Sequence, residues 1–393
     1  MDTQNTAVRN GKIQELLTRG VAEVYPNKKA LVDLLNKKRI TLYQGFDPSM
    51  PSLHFGNLVG AMKLRQFQKL GHRVIFLIGD FTGMIGDPTD KTATRRQLTR
   101  EEVTKNAETW KAQLKNILDF EGKNAVEIRR NSEWSDKITF KDLIGITSNL
   151  TVQQMIERDM FQVRIKEGKP IYLHEFLYPV AQGYDSVAMD VDLEIGGTDQ
   201  TFNMLAGRTL MKAIKNKEKA VLTTKLMVDK DGKKVGKTTG NALFVSSGPV
   251  DFYGGIMAFP DEVITLGFEL LTEVDLKGLE KSVKENPMDE KKRLAFEVVS
   301  LVWGHDQARK AQSAFETTFQ KKENPNNIME LSVPKNETVV DIIARIVGSK
   351  SQAKRLIIQR AIDIDGKVIT HAYQTVVSGA TIKIGKTQFV KIK

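Results

Sequence analysis

Two short stretches of this 393-residue chain hold residues that could handle a polyphosphate. SLHFGN (52–57) places His54, Gly56 and Asn57 at a turn. The imidazole and the amide can both donate hydrogen bonds into one space, and the glycine lets the backbone approach a ligand closely. DKDGKKVGKTTGN (229–241) sets Lys230, Lys233, Lys234 and Lys237 among glycines. Such a loop could close over phosphates and bring Lys234, Lys237 and Thr238 to a leaving group. Each stretch alone has a plainer reading. A histidine in a turn is more often structural, and a lysine–glycine loop is more often a solvated hairpin. The chain has no cysteine. That excludes disulfides, thiolate zinc sites and a cysteine nucleophile.

The elements that would position these residues follow from periodicity. ITLYQGFDPS (40–49) reads as a buried strand ending in a turn. LVGAMKLRQFQKLG (58–71) carries Leu58, Met62, Leu64 and Phe67 near helical spacing, with Gly71 as a stop. HRVIFLIGDF (72–81) is an apolar run of the kind that parallel sheets bury on both faces. Strand, helix and strand make a βαβ unit, and the right-handed crossover makes it half of a doubly wound, Rossmann-like α/β sheet. Ligands bind at the carboxyl ends of such strands, where a helix N-terminus offers free N–H groups to phosphate. SLHFGN falls at that place.

Beyond it, GMIGDP (83–88) is a glycine-rich turn, 100–119 is helical, and 126–134 is a short strand leading into a turn. Residues 139–184 read as mostly helical, 191–200 as a strand with a glycine turn, 202–216 as a helix and 219–228 as a strand. Residues 11–38 read as helical, and 250–322 as helical and rich in Lys and Glu. ENPNN (323–327) is a candidate linker. After it come two short helices and several short strands, a small α+β domain. The expected domains are 1–228, with an inserted helical segment near 135–190, then 229–325, then 331–393.

The formal charge is +11. Residues 343–393 hold ten Lys or Arg against two acids, so eight of those eleven charges lie in the tail. A local basic excess suits a polyanion, nucleic acid before membrane, because no amphipathic anchor accompanies it. No signal-like apolar run opens the chain and no stretch is long enough to span a bilayer. The expected location is the cytoplasm.

HFGN followed about 180 residues later by KVGKT resembles the paired HIGH and KMSKS motifs of class I aminoacyl-tRNA synthetases. YQGFDPSMPSLHFGN, GDFTGMIGDPT, YPVAQGYDS and IGGTDQ resemble the bacterial-type tyrosyl-tRNA synthetase family in order and spacing. The likeness runs from about residue 16 to the C-terminus. Asn57 stands where the motif has its second histidine, and KVGKT keeps both lysines while Thr238 replaces a serine. An asparagine N–H can take the place of one imidazole nitrogen, and Gly236 should loosen the loop.

The resemblance implies activation of L-tyrosine by ATP with Mg²⁺, then transfer to tRNA. The tyrosine carboxylate attacks the α-phosphate and is already ionised, so no general base is needed. Catalysis comes from alignment and charge neutralisation by His54, Asn57, Lys234, Lys237 and Thr238. The magnesium is held mainly by the phosphates, with no dedicated protein site. Tyr178, Gln182 and Asp185 stand at i, i+4 and i+7, one face of a helix. That stripe alone reads as solvent-facing. The resemblance makes it a pocket: Tyr178, Gln182 and Asp87 for the α-ammonium, Asp185 with Tyr43 for the phenolic hydroxyl, and Gln200 near the carboxylate. Asp47, Gly56, Gly197, Asp199 and Lys237 fall on the ATP side. Lys350, Lys354, Arg355 and Arg360 would meet tRNA phosphates, the helices of 250–322 would approach the anticodon, and the inserted segment would pair two copies in a homodimer. The rivals are a tryptophan-specific relative and an RNA-binding paralogue that no longer charges tRNA.

Overall fold

The apolar runs form a six-stranded sheet in a computed structural model that describes residues 3–87, 97–231, 234–235, 243–317, 329–334, 337–376, 378–385 and 388–393. Its strands are β1 (Val21–Tyr25), β2 (Thr41–Phe46), β3 (Arg73–Ile78), β4 (Glu127–Arg130), β5 (Leu193–Gly197) and β6 (Ala220–Thr224). The order is β1-β6-β5-β2-β3-β4. All neighbours run parallel except β1, which is antiparallel to β6. β6 is buried along its whole length and β3 from Val74 to Ile78, as an apolar strand covered on both faces must be. The chain runs outward from β2 to β3 on one side and from β5 to β6 on the other. The crevice at the carboxyl ends of β2 and β5 is therefore the switch point where open α/β sheets take their ligands.

The helix after β2 spans Phe55–Lys69 and buries Leu58, Met62, Leu64 and Phe67. It starts three residues before the apolar spacing begins. His54 takes the N-cap position, and the Asn57 side-chain oxygen accepts from the His54 backbone N–H at 2.9 Å, closing the first turn. The region 139–184 is helical in pieces: Phe140–Thr147, Val152–Ile156, Asp159–Lys166 and Leu173–Met189. Thr139 with Asp142, and Thr151 with Gln154, form capping boxes that break it up.

Two readings differ from the structure. The long helical stretch at 11–38 is interrupted by β1, because VAEVY is bounded by Gly20 (φ +65°) and Pro26 and finds hydrogen-bond partners on β6. Helical periodicity cannot register that distant edge. The second difference is the border near 228. The chain divides into two compact units, Met1–Ala308 and Arg309–Lys393. The helices Pro249–Met257 and Pro287–Trp303 belong to the first. The rings of Phe252 and Phe259 lie 6.0 and 5.0 Å from that of Phe55, and Arg19 donates to the Phe268 carbonyl at 2.9 Å. The linker reading at 323–327 lies outside the described residues.

In the second unit, β7 (Met329–Leu331), β8 (Ile362–Ile364), β9 (Lys367–Val368), β10 (Thr381–Ile384) and β11 (Gln388–Ile392) form a sheet of order β7-β11-β10-β8-β9. Helices Val339–Val347 and Lys350–Ile358 share a core with it through Val340, Ile343, Ala353, Ile357, Ile382 and Val390. Among the described residues no helix is long and apolar enough to cross a membrane.

Candidate active site

A cavity of about 380 Å³ opens at the switch point. Twelve of the residues singled out from the sequence line it: Asp47, His54, Gly56, Asn57, Asp87, Tyr178, Gln182, Asp185, Gly197, Asp199, Gln200 and Lys234. They come from the ends of β2 and β5, the start of helix Phe55–Lys69, the segment after β3, one face of helix Leu173–Met189 and the segment after β6.

On one side stand His54 and Lys234, 180 positions apart in the chain. The roots of the lysine loop explain their meeting. Val235 N–H donates to the Met227 carbonyl at 2.8 Å, which ties the loop's entry to the end of β6. After the loop, Phe55 N–H donates to the Leu243 carbonyl at 2.9 Å and Val245 N–H to the Leu53 carbonyl at 2.9 Å, which ties its exit to the histidine turn. Lys234 Nζ donates to Asp199 Oδ2 at 2.5 Å. Lys233, Gly236, Lys237 and Thr238 lie outside the described residues. Two glycines are closely neighboured. A Cβ on Gly56 would stand 3.0 Å from the His54 ring, and one on Gly197 would stand 2.6 Å from Asp199 Oδ1.

On the other side the polar groups are bonded to one another. Asp47 accepts from Thr82 Oγ1 and from the Tyr178 hydroxyl, each at 2.7 Å. Burial, then Asp47, pushes the Tyr178 hydroxyl well above its ordinary pKa. Asp87 forms a buried ion pair with Arg158 at 2.8 Å and accepts from Gln200 Nε2 at 2.7 Å. Asp185, 2% exposed, accepts from Trp134 Nε1 at 2.8 Å and Asn131 Nδ2 at 3.3 Å. Burial drives its pKa well up, and those two donors oppose the rise. It is a buried acceptor facing a cavity.

Tyr43 is read from the resemblance as a partner, with Asp185, of the phenolic hydroxyl. It is fully buried behind the cavity wall, and its hydroxyl lies 2.9 Å from Ser186 Oγ. A buried hydroxyl must find a partner, and Ser186 is held in reach by Lys219 and Glu194. Gln200, read as near the substrate carboxylate, spends its amide N–H on Asp87. Asp199, read as facing the nucleotide, is paired with Lys234.

Sequence reasoning missed Asn131, Trp134, Arg158, Ser186, Glu194, Asn203 and Lys219. A signal existed for two sets. Asn131 and Trp134 follow β4, at the strand end where ligands gather, and Glu194 is a carboxylate inside an apolar strand. Arg158 gives none.

In the second unit, helix Lys350–Ile358 turns Ala353 and Ile357 inward and leaves Lys350, Lys354 and Arg355 exposed. Lys350 pairs with Asp341 at 2.7 Å, Lys354 lies 5.7 Å from the Tyr373 ring centroid, and Arg360 is exposed just past the helix end.

A doubly wound sheet with a histidine turn and a lysine loop on one cavity defines a class, and the family comparison agrees. The model of the class I tRNA synthetases (W and Y) matches residues 35–320, and the chain belongs to that family. Similarity to curated relatives narrows it. The chain is 40% identical to a tyrosine–tRNA ligase of Thermotoga maritima over 96% of both chains, and 39% identical to one of Aquifex aeolicus over 96% of this chain and 97% of the relative. It is thus a member of the tyrosine–tRNA ligases within that class. Among solved structures, a truncated mitochondrial tyrosyl-tRNA synthetase of Coccidioides posadasii matches with a TM-score of 0.65 at 24% identity, over 79% of this chain and 95% of that one. An Archaeoglobus fulgidus tyrosyl-tRNA synthetase complexed with L-tyrosine matches at 0.61 and 21%, over 77% and 99%. These two agree in fold.

Proposed function

We infer that the chain joins L-tyrosine to its tRNA in two steps within the cavity at the switch point. MgATP enters as substrate. A tyrosine carboxylate oxygen attacks the α-phosphorus, the bond to the bridging oxygen breaks, and pyrophosphate leaves as tyrosyl-adenylate forms. A hydroxyl of the terminal tRNA ribose then attacks the tyrosyl carbonyl and AMP departs.

The observation that carries this reading is a single cavity with two unlike ends: His54 and Lys234 at one, a buried acceptor carboxylate, Asp185, at the other. The first end suits charge spreading onto a leaving pyrophosphate. Lys237 and Thr238 share that task. Asn57 keeps its side-chain oxygen on the His54 backbone, which leaves its amide N–H groups for ligand. Gly56 and Gly197 let the nucleotide approach, with Asp47 and Asp199 on the ribose side. At the second end Asp185 accepts a hydrogen bond from the phenolic hydroxyl. Tyr178, Gln182 and Asp87 receive the α-ammonium, with Gln200 beside them. Tyr43 supports that wall through Ser186.

The basic residues Lys350, Lys354, Arg355 and Arg360 contact tRNA phosphates, and the 250–322 region approaches the anticodon. Phe140, Ile144, Val152 and Leu173 are large, apolar and exposed on the inserted helices. They suit an interface with a second copy, giving a homodimer. The cytoplasm, where tRNA is charged, is the working compartment. ATP–pyrophosphate exchange tests the whole: it should depend on L-tyrosine and not respond to tryptophan or phenylalanine. The chain cut after Ala308 should keep exchange and lose tRNA charging. Exchange driven by tryptophan, or no exchange at all, would overturn the reading.

A further inference from the structure

A continuous line of hydrogen bonds runs under the amino-acid end, and the chemistry above does not use its far members. Lys219 and Glu194, 0% and 1% exposed, form a close ion pair. Glu194 Oε1 accepts from Gln182 Nε2 at 3.1 Å. Gln182 Oε1 accepts from Asn203 Nδ2 at 3.0 Å, and the same amide nitrogen donates to Gln200 Oε1 at 2.9 Å. Gln200 then donates to Asp87, and Asp87 pairs with Arg158. The line begins and ends on a buried cation.

A glutamine can turn either its NH₂ or its oxygen toward a ligand, and its partners decide which. The Gln182 partner is a carboxylate. Lys219 and the Ser186 hydroxyl both engage Glu194 Oε2. A carboxylate paired with a lysine has no proton to donate, so Oε1 offers only lone pairs. Gln182 must point its NH₂ at Glu194, so its oxygen turns toward Asn203 and the cavity it lines. A buried ion pair gains little over apolar side chains of equal size, so packing gives no reason for this one.

We propose that Glu194, held by Lys219, is a positioning residue that sets the polarity of the amino-acid site, forcing Gln182 to present a carbonyl oxygen to the substrate's α-ammonium. The proposal rests on the reading of this cavity end as the ammonium site. With Glu194→Gln the fixed acceptor is lost and Gln182 is free to present its NH₂ instead, which repels an ammonium.

The test compares two ligands: tyramine, which keeps the ammonium and lacks the carboxylate, and 3-(4-hydroxyphenyl)propionate, which does the reverse. In Glu194→Gln, tyramine binding should weaken roughly 10- to 100-fold, the worth of a charge-assisted hydrogen bond. The propionate should bind about as in wild type. KM for tyrosine should rise while kcat for exchange changes far less. The swap Glu194→Gln with Gln182→Glu restores a fixed acceptor and should recover tyramine binding. If Glu194→Gln melts, the neutral pair Glu194→Gln with Lys219→Met carries the same expectation. Equal loss of both ligands, or a folded swap that recovers nothing, overturns the proposal. Gln182→Ala separates the two levels. If it leaves tyramine binding unchanged, the site reading fails. If it weakens tyramine and Glu194→Gln does not, only the role of Glu194 fails.

Discussion

At the cavity end proposed for the amino acid, Asp185, Asp87, Gln182 and Gln200 are each hydrogen-bonded to a neighbour, and most of those neighbours are buried. At the nucleotide end, Lys234 and Asp199 form their ion pair with side chains 37% and 27% exposed, and the glycines at 56 and 197 leave backbone open to approach. The difference matches two tasks. Telling one side chain from another needs buried groups fixed before the ligand comes, so that a wrong ligand leaves them unpaired. Neutralising a leaving pyrophosphate needs cations that can move with it and then release it.

The sharpest way to break this division is to remove a group from each end. Asp185→Ala strips the acceptor from the phenol, leaves Trp134 Nε1 without its acceptor and leaves Asn131 Nδ2 with Thr82 Oγ1 alone. kcat/KM for tyrosine in exchange should fall roughly 100-fold or more, with KM for ATP nearly unchanged. His54→Ala should lower the rate of adenylate formation roughly 100-fold in single-turnover measurements while tyrosine affinity stays within about twofold. If His54→Ala weakened tyrosine binding as much as it slowed the chemistry, the two ends would not be separate.

The same contrast explains what could be read from the sequence. The residues proposed for the nucleotide stood out as two local patterns, a turn after an apolar strand and a lysine run among glycines, and the resemblance joined them. The β2–helix–β3 unit was legible for the same reason, since periodicity is a local property. β1 was lost because its partner is β6, nearly 200 residues away. At the amino-acid end, spacing showed only that Tyr178, Gln182 and Asp185 share one helix face, and the resemblance alone made that face a pocket. Trp134, Arg158, Asn203 and Lys219 belong to it through contacts between distant elements, and no spacing announces such contacts. For Tyr43, a strand position fixes which face a side chain takes and not which hydroxyl it meets, so its contact with Ser186 was not readable.

The smallest effect tests the cost of a preformed acceptor. Burial raises the Asp185 pKa well above its ordinary 3.8, so the ionised carboxylate is less stable in the folded chain than in the unfolded one. As pH rises past 3.8 the unfolded chain releases this proton first, the folded chain holds more protons, and stability falls across that window. Asp185→Asn has nothing to release and keeps an oxygen for Trp134. Without tyrosine, the variant should melt a few degrees above wild type at neutral pH, and the gain should shrink as pH is lowered toward the ordinary carboxylate range. Adding tyrosine should raise the melting point of wild type alone. A gain that did not change with pH would mean that hydrogen bonding, not the buried charge, sets the difference, and the amino-acid end would then carry no electrostatic cost for its selectivity.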